Sequence, residues 1–128
     1  MRKRLIMSIG FLFLATIVAF VITVISYPSA NHAEELATVK ILEGAWHYDK
    51  NPDNDYSPYI LEVTVGTTVT WINEDPVPHT VTTKDKMLNS PYLYKGDSFS
   101  YTFTEADEYN YFCSPHPWMK GIVIVRAN

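Results

Sequence analysis

Cysteine is the scarcest informative residue of this 128-residue chain, which has a single one, Cys113. An intramolecular disulfide is thereby excluded, and in a compartment that permits disulfides a lone cysteine is either a reactive thiol or a ligand. Histidine is scarce too, with four residues at His32, His47, His79 and His116. Cations are outnumbered. Three of the 10 Lys and Arg residues are Arg2, Lys3 and Arg4, so from Glu34 onward seven face all 14 acidic residues, a balance of −7. A surface of that sign is poorly suited to neutralising phosphates, which argues against nucleic acid and suggests that any charged partner is basic. Internal repeats and low-complexity tracts are missing, and after residue 37 no stretch sustains the 3.6-residue period of a helix.

Long apolar runs are confined to the beginning of the chain. After the three cations, Leu5 to Ile25 gives 21 residues without a charge, followed by the turn-like Tyr27-Pro28-Ser29. This segment reads as targeting rather than as part of the fold. It exceeds an ordinary signal-peptide core and is long enough to cross a bilayer as a helix, at about 20 residues per crossing. A small-x-small cleavage site is missing, because Pro28 and Asn31 stand where small residues would precede Ala30 and Ala33. The reading is therefore an uncleaved anchor, with a cleaved signal as the alternative. Cations on the cytoplasmic side would place the rest of the chain outside the cytoplasm, attached to the membrane, or free in the periplasm or medium if cleaved. Residues 1–36 thus form the anchor or signal with a short linker, and residues 37–128 form one domain with one small core.

Within that domain the texture is β-branched and aromatic. Thr38 to Trp46 alternates loosely and predicts a first strand, whereas Asp49 to Pro58 is dense in Asp, Asn and Pro and predicts a loop. Tyr59 to Val65 and Thr67 to Asn73 alternate apolar with polar on either side of Gly66, predicting two strands joined by a glycine turn. The same two-residue period recurs at Ser98 to Phe103, Glu108 to Phe112 and Gly121 to Val125. Short strands at roughly ten-residue spacing predict an all-β fold, a Greek-key sandwich or barrel, preceded by the one hydrophobic N-terminal helix. Trp46 and Trp71 are expected in its core.

One segment carries chemistry. Cys113-Ser114-Pro115-His116-Pro117-Trp118-Met119 lies between two predicted strands and places a thiolate, an imidazole and a thioether in one seven-residue loop. Two imidazoles and a thiolate in a plane, with a weak axial thioether, form the ligand set of copper electron transfer. The loop supplies only one histidine. His79 is the natural second, since it follows a predicted strand in Asp75-Pro76-Val77-Pro78-His79, where two prolines restrict the backbone.

With these residues in place, residues 37–128 resemble the plastocyanin and amicyanin branch of the cupredoxins, the type 1 blue copper proteins. The resemblance rests on Val69-Thr70-Trp71-Ile72-Asn73, Pro78-His79-Thr80-Val81, Gly96 to Phe103, and Tyr111-Phe112-Cys113 leading into the loop. Two residues between Cys113 and His116 and two between His116 and Met119 give the short loop of the amicyanin type, with His79 34 residues before Cys113. The resemblance implies one copper ion cycling between Cu(I) and Cu(II), held by His79, Cys113, His116 and Met119. It implies that Asn73 ties the two ligand loops together, and that Pro115, lacking an N–H, cannot donate to the Cys113 sulfur. Pro117 and Trp118 would flank the exposed edge of His116 as an apolar docking surface for redox protein partners. The domain is expected to be a monomeric electron carrier and not an enzyme.

Other readings fit less well. Multicopper oxidases and nitrite reductases need many more histidines, and a binuclear copper centre needs a second cysteine in the loop. Copper chaperones favour flexible, exposed ligands rather than a proline-stiffened loop, and a thioether is a poor zinc ligand. Asp49 to Asp55 imitates the start of a calcium loop, but Asn54 stands where glycine is needed and Ile60 where the final glutamate belongs. His32 and His47 have no ligand context and are expected in solvent.

Overall fold

A computed structural model of the protein describes residues 35–48 and 51–128. The hydrophobic N-terminal segment, its expected helix and His32 lie outside the described residues. Among the described residues, no helix is long and apolar enough to cross a membrane.

The alternating segments become strands, and a short one, β2, forms inside the Asp49 to Pro58 stretch expected as loop: β1 (Leu36–Ile41), β2 (Tyr56–Ser57), β3 (Ile60–Thr64), β4 (Thr68–Asn73), β5 (Ser98–Thr102), β6 (Glu108–Phe112) and β7 (Lys120–Arg126). One 3-10 turn, Pro52–Asn54, interrupts the Asp- and Asn-rich loop, with the Asn51 side chain accepting from Asp53 N. The strands form two sheets, ordered β2-β1-β4-β5 and β3-β7-β6. This is the two-sheet all-β fold expected from the periodicity. Gly66 marks the crossing between sheets. The chain leaves β3, which pairs parallel with β7, turns at Gly66 (φ +95°), and enters β4, which pairs parallel with β1. The positive φ is costly for any residue with a Cβ.

Alternation sets the core. In β4, Val69, Trp71 and Asn73 point inward and are fully buried, and in β7 the inward residues are Gly121, Val123 and Val125. Of these, Val69, Trp71, Val123 and Val125 meet Val39 and Ile41 of β1, Val63 of β3 and Tyr111 of β6 in one cluster. A fully buried aliphatic or aromatic side chain of this kind contributes ~1.5–3 kcal/mol. Tyr111 lies opposite Gly121 in the β6–β7 register, with its ring at 4.9 Å from that of Tyr56 and 5.4 Å from that of Trp71, edge to face in both cases. Only glycine leaves room for that ring: a Cβ on residue 121 would overlap Tyr111 Cζ and the hydroxyl oxygen.

Two expectations about the first strand are corrected. β1 stops at Ile41 rather than running to Trp46, because Ala45 N and His47 N bond back to Leu42 O and Gly44 O, closing a turn around Gly44 at φ +89°. That turn puts Ala45 inside at 1% exposure and Trp46 outside at 42%, so Trp46 is not a core residue, whereas Trp71 is.

Candidate metal centre

All the expected ligands lie in the loops that follow β4 and β6. After β4 the chain runs through Glu74-Asp75-Pro76-Val77-Pro78 to His79, whose N–H donates to Leu93 O and whose carbonyl accepts from Leu93 N, at 3.1 and 2.8 Å. After β6, the loop from Cys113 to Met119 closes on itself. Cys113 N donates to Met119 O, His116 N to Cys113 O and Met119 N to His116 O, at 3.1, 3.2 and 2.9 Å. Both imidazoles therefore sit on backbone that is pinned at each side, and the second loop joins β6 to β7 of one sheet.

Three donor atoms converge. Cys113 Sγ is 3.6 Å from His79 Nδ1 and 3.6 Å from His116 Nδ1, and the two nitrogens are 3.2 Å apart. The point equidistant from the three lies about 2.0 Å from each, close to the ~2.0–2.3 Å at which imidazole nitrogen and thiolate sulfur bind a first-row metal. One thiolate and two imidazoles suit copper. His79 and Cys113 are fully buried, while His116 is partly exposed. Met119 is fully buried at the foot of the loop. Pro117 is exposed and Trp118 is 39% exposed, its ring 5.4 Å from that of His116 and 6.4 Å, edge on, from exposed Tyr48. Pro115 is exposed, as is His47, whose ring lies 3.5 Å from that of Trp46.

Burial disfavours the charged form of both Cys113 and His116. Burial pushes the Cys113 thiol above its ordinary value, although the Thr80 N–H donating to the sulfur at 3.4 Å opposes that shift. Burial, and secondarily the neighbouring His79, lowers His116 below the usual imidazole value, which leaves its ring nitrogen free of a proton near neutrality. Tyr56 is also buried against the site, its hydroxyl donating to Thr80 O at 2.6 Å and its ionisation suppressed by burial and then by Cys113.

The structure redistributes the supporting roles. Asn73 Nδ2 donates to Val77 O and Leu93 O, and its Oδ1 accepts from Asp75 N, so it fixes the His79 loop against the Leu93 segment. Ser114 Oγ donates across to Thr82 Oγ1 at 3.1 Å, and the other bonds that join the His79 and Cys113 loops beside the sulfur come from Thr80. Its N–H reaches the Cys113 sulfur, and its Oγ1 accepts from Ser114 N at 2.8 Å and contacts Thr82 Oγ1 at 3.1 Å. Thr80, Thr82 and Ser114 were not singled out in the sequence, where a Thr-rich run reads as ordinary strand. Asp75 was missed as well. Its Oδ2 lies 2.8 Å from His79 Nε2, and both side chains are wholly buried. A carboxylate four residues before a ligand was a visible signal.

Known proteins are similar to this chain in sequence and fold. An amicyanin from Paracoccus denitrificans is 46% identical over 71 residues, covering 52% of this chain and 54% of that protein. A plastocyanin from Scenedesmus fuscus is 31% identical over 88 residues, covering 56% and 86%. The chain therefore spans about half the length of the amicyanin it matches. Among solved structures, a purple cupredoxin from Nitrosopumilus maritimus superposes with a TM-score of 0.65 at 43% identity, covering 70% of this chain and 99% of that one. Residues 45–126 match the family of copper binding proteins described as plastocyanin/azurin, and that stretch contains His79, Cys113, His116 and Met119. With the fold, the three converging donors and the match over most of the domain in agreement, the chain belongs to the plastocyanin/azurin family of copper-binding proteins.

Proposed function

We propose that the domain carries single electrons between redox proteins, using one type 1 copper held by His79 and His116 through Nδ1, by the Cys113 thiolate, and by Met119 as axial thioether. The observation that carries this reading is the triangle of Sγ and two Nδ1 atoms on pinned backbone. Bound there, copper supplies a one-electron couple. The chain's part is to hold donors that suit both oxidation states and to let little move: Leu93 clamps His79, Thr80 bridges the two ligand loops, and the Cys113–Met119 loop is closed by its own hydrogen bonds. Burial of the thiolate and of His79 keeps water out, and the partly exposed edge of His116 is the one ligand side chain within a partner's reach. Pro117 and Trp118 beside it offer an apolar contact, and the acidic domain favours a partner with a basic patch. The N-terminal sequence supports a domain held at, or released from, the outer side of the cytoplasmic membrane.

The test is the visible absorption and EPR spectrum of the purified full chain with Cu(II), beside Cys113→Ser. An intense thiolate-to-copper band with narrow hyperfine splitting, absent from the variant, is the expected result. A colourless protein, or an ordinary wide-splitting Cu(II) signal, refutes the assignment.

A further inference from the structure

The two ligand imidazoles are not equivalent. His116 is backed by Trp118 and partly open to solvent. His79 is backed by a carboxylate, with Nε2 2.8 Å from Asp75 Oδ2 and no exposure of either side chain. A wholly buried Asp facing a ligand histidine is costly to place, and such groups persist only where their partners are fixed.

We infer that Asp75 is a positioning residue for the metal centre, which locks His79 in the tautomer carrying its proton on Nε2 and lends the site a buried negative charge. An ionised carboxylate only accepts hydrogen bonds, so the imidazole facing it must donate. That leaves the lone pair on Nδ1, the atom that faces Cys113 Sγ and His116 Nδ1. The carboxylate is itself held in place. Val77 N donates to Asp75 Oδ1 at 3.3 Å, Asp75 N donates to Asn73 Oδ1 at 2.9 Å, and Asn73 Nδ2 reaches Val77 O and Leu93 O. Pro76 and Pro78 stiffen the intervening backbone. The loop from Asn73 to His79 therefore fixes the orientation of one ring before any metal arrives. A partner of this kind orients a ligand and raises its basicity. Next to the ion, the buried charge stabilises the higher oxidation state over the lower.

This inference rests on the copper reading for its second half only. The tautomer is read in the metal-free full chain, by the long-range nitrogen–proton correlations of the histidine rings. His79 is expected as Nε2–H in the wild type and as a mixture in Asp75→Asn, which keeps an oxygen of the same shape but loses the charge. Finding His79 as Nδ1–H in the wild type overturns the inference, and that measurement stands even if no blue centre forms or the variant fails to fold. With copper bound, Asp75→Asn is expected to keep the thiolate band but to favour Cu(I) over Cu(II) by about tenfold, which for a one-electron couple is about 59 mV. Asp75→Glu, with its charge restored, should return most of that shift. A potential unchanged within about twofold in that ratio, with only thermal stability lost, overturns the electrostatic role and leaves Asp75 as a structural residue.

Discussion

Gly121→Ala adds one methyl group, yet the geometry makes it a severe test of how the core supports the metal loop. The new Cβ would overlap Tyr111 Cζ and the hydroxyl oxygen, with Cε2 2.8 Å away. A flexible side chain could swing aside, but Tyr111 is 2% exposed and its ring meets those of Tyr56 and Trp71 edge to face. Relief must come from moving a clamped ring or from separating β6 and β7. Overpacking of a tight core costs ~1–3 kcal/mol, against which the reduced freedom of the unfolded chain returns only ~0.4–1 kcal/mol. Gly121 does not have a positive φ, so backbone strain adds nothing. The net loss is ~1–2 kcal/mol, which in a domain of this size lowers Tm by roughly 4–8 °C per kcal/mol. Calorimetry of the metal-free and copper-loaded protein measures it. Because Tyr111 stands two residues before Cys113 and Gly121 two after Met119, the displacement should also reach the thiolate-to-copper band. Wild-type or higher Tm in Gly121→Ala would refute the claim that Tyr111 has nowhere to go.

Two further outcomes follow from the site. Thr80→Val keeps the side-chain volume but leaves the partly buried Ser114 N–H without its acceptor, at a cost of ~1–3 kcal/mol. The backbone N–H to sulfur bond survives, so the expected result is a lower Tm with the copper band retained, and loss of the band without loss of Tm would contradict it. The metal-free domain should also be acid-sensitive. His116 binds its proton less tightly when folded than the ordinary value of 6.5, so the unfolded chain takes up protons first and stability falls as pH drops below about 6.5. Melting temperatures measured from about pH 7 to about pH 5 should decline, less steeply in His116→Gln; parallel profiles would show that His116 is not the group responsible.

The strands were legible because period-two alternation survives wherever one face of a sheet is buried, as in Val69, Trp71 and Asn73 of β4. Of the three converging donors, Cys113 and His116 were legible from the spacing of one short loop, and His79 from the proline-flanked segment that follows a predicted strand. What stayed hidden depends on non-periodic backbone. Trp46 was misplaced because the alternation of β1 continues in sequence past the point where the Gly44 turn reverses the chain. Leu88 and Leu93, both buried, sit in the irregular segment between Val81 and Ser98, where no period announces a core. Asp75 and Thr80 gain their roles from which atoms they face, and residue type alone does not report facing.

The position of β7 has a consequence for the order of events in the cell. It is the middle strand of β3-β7-β6 and also the last strand of the described fold, and its pairing with β3 spans Ile60 to Ile122. Until it has been synthesised, β3 and β6 have no partner in their sheet, and the loop from Cys113 to Met119 has no second anchor. Pairings this distant in sequence form slowly. Cys113 and His116 are neighbours in one short loop, but His79 reaches them from the loop after β4, so the full set of three donors is a product of the closed sandwich rather than of any local segment.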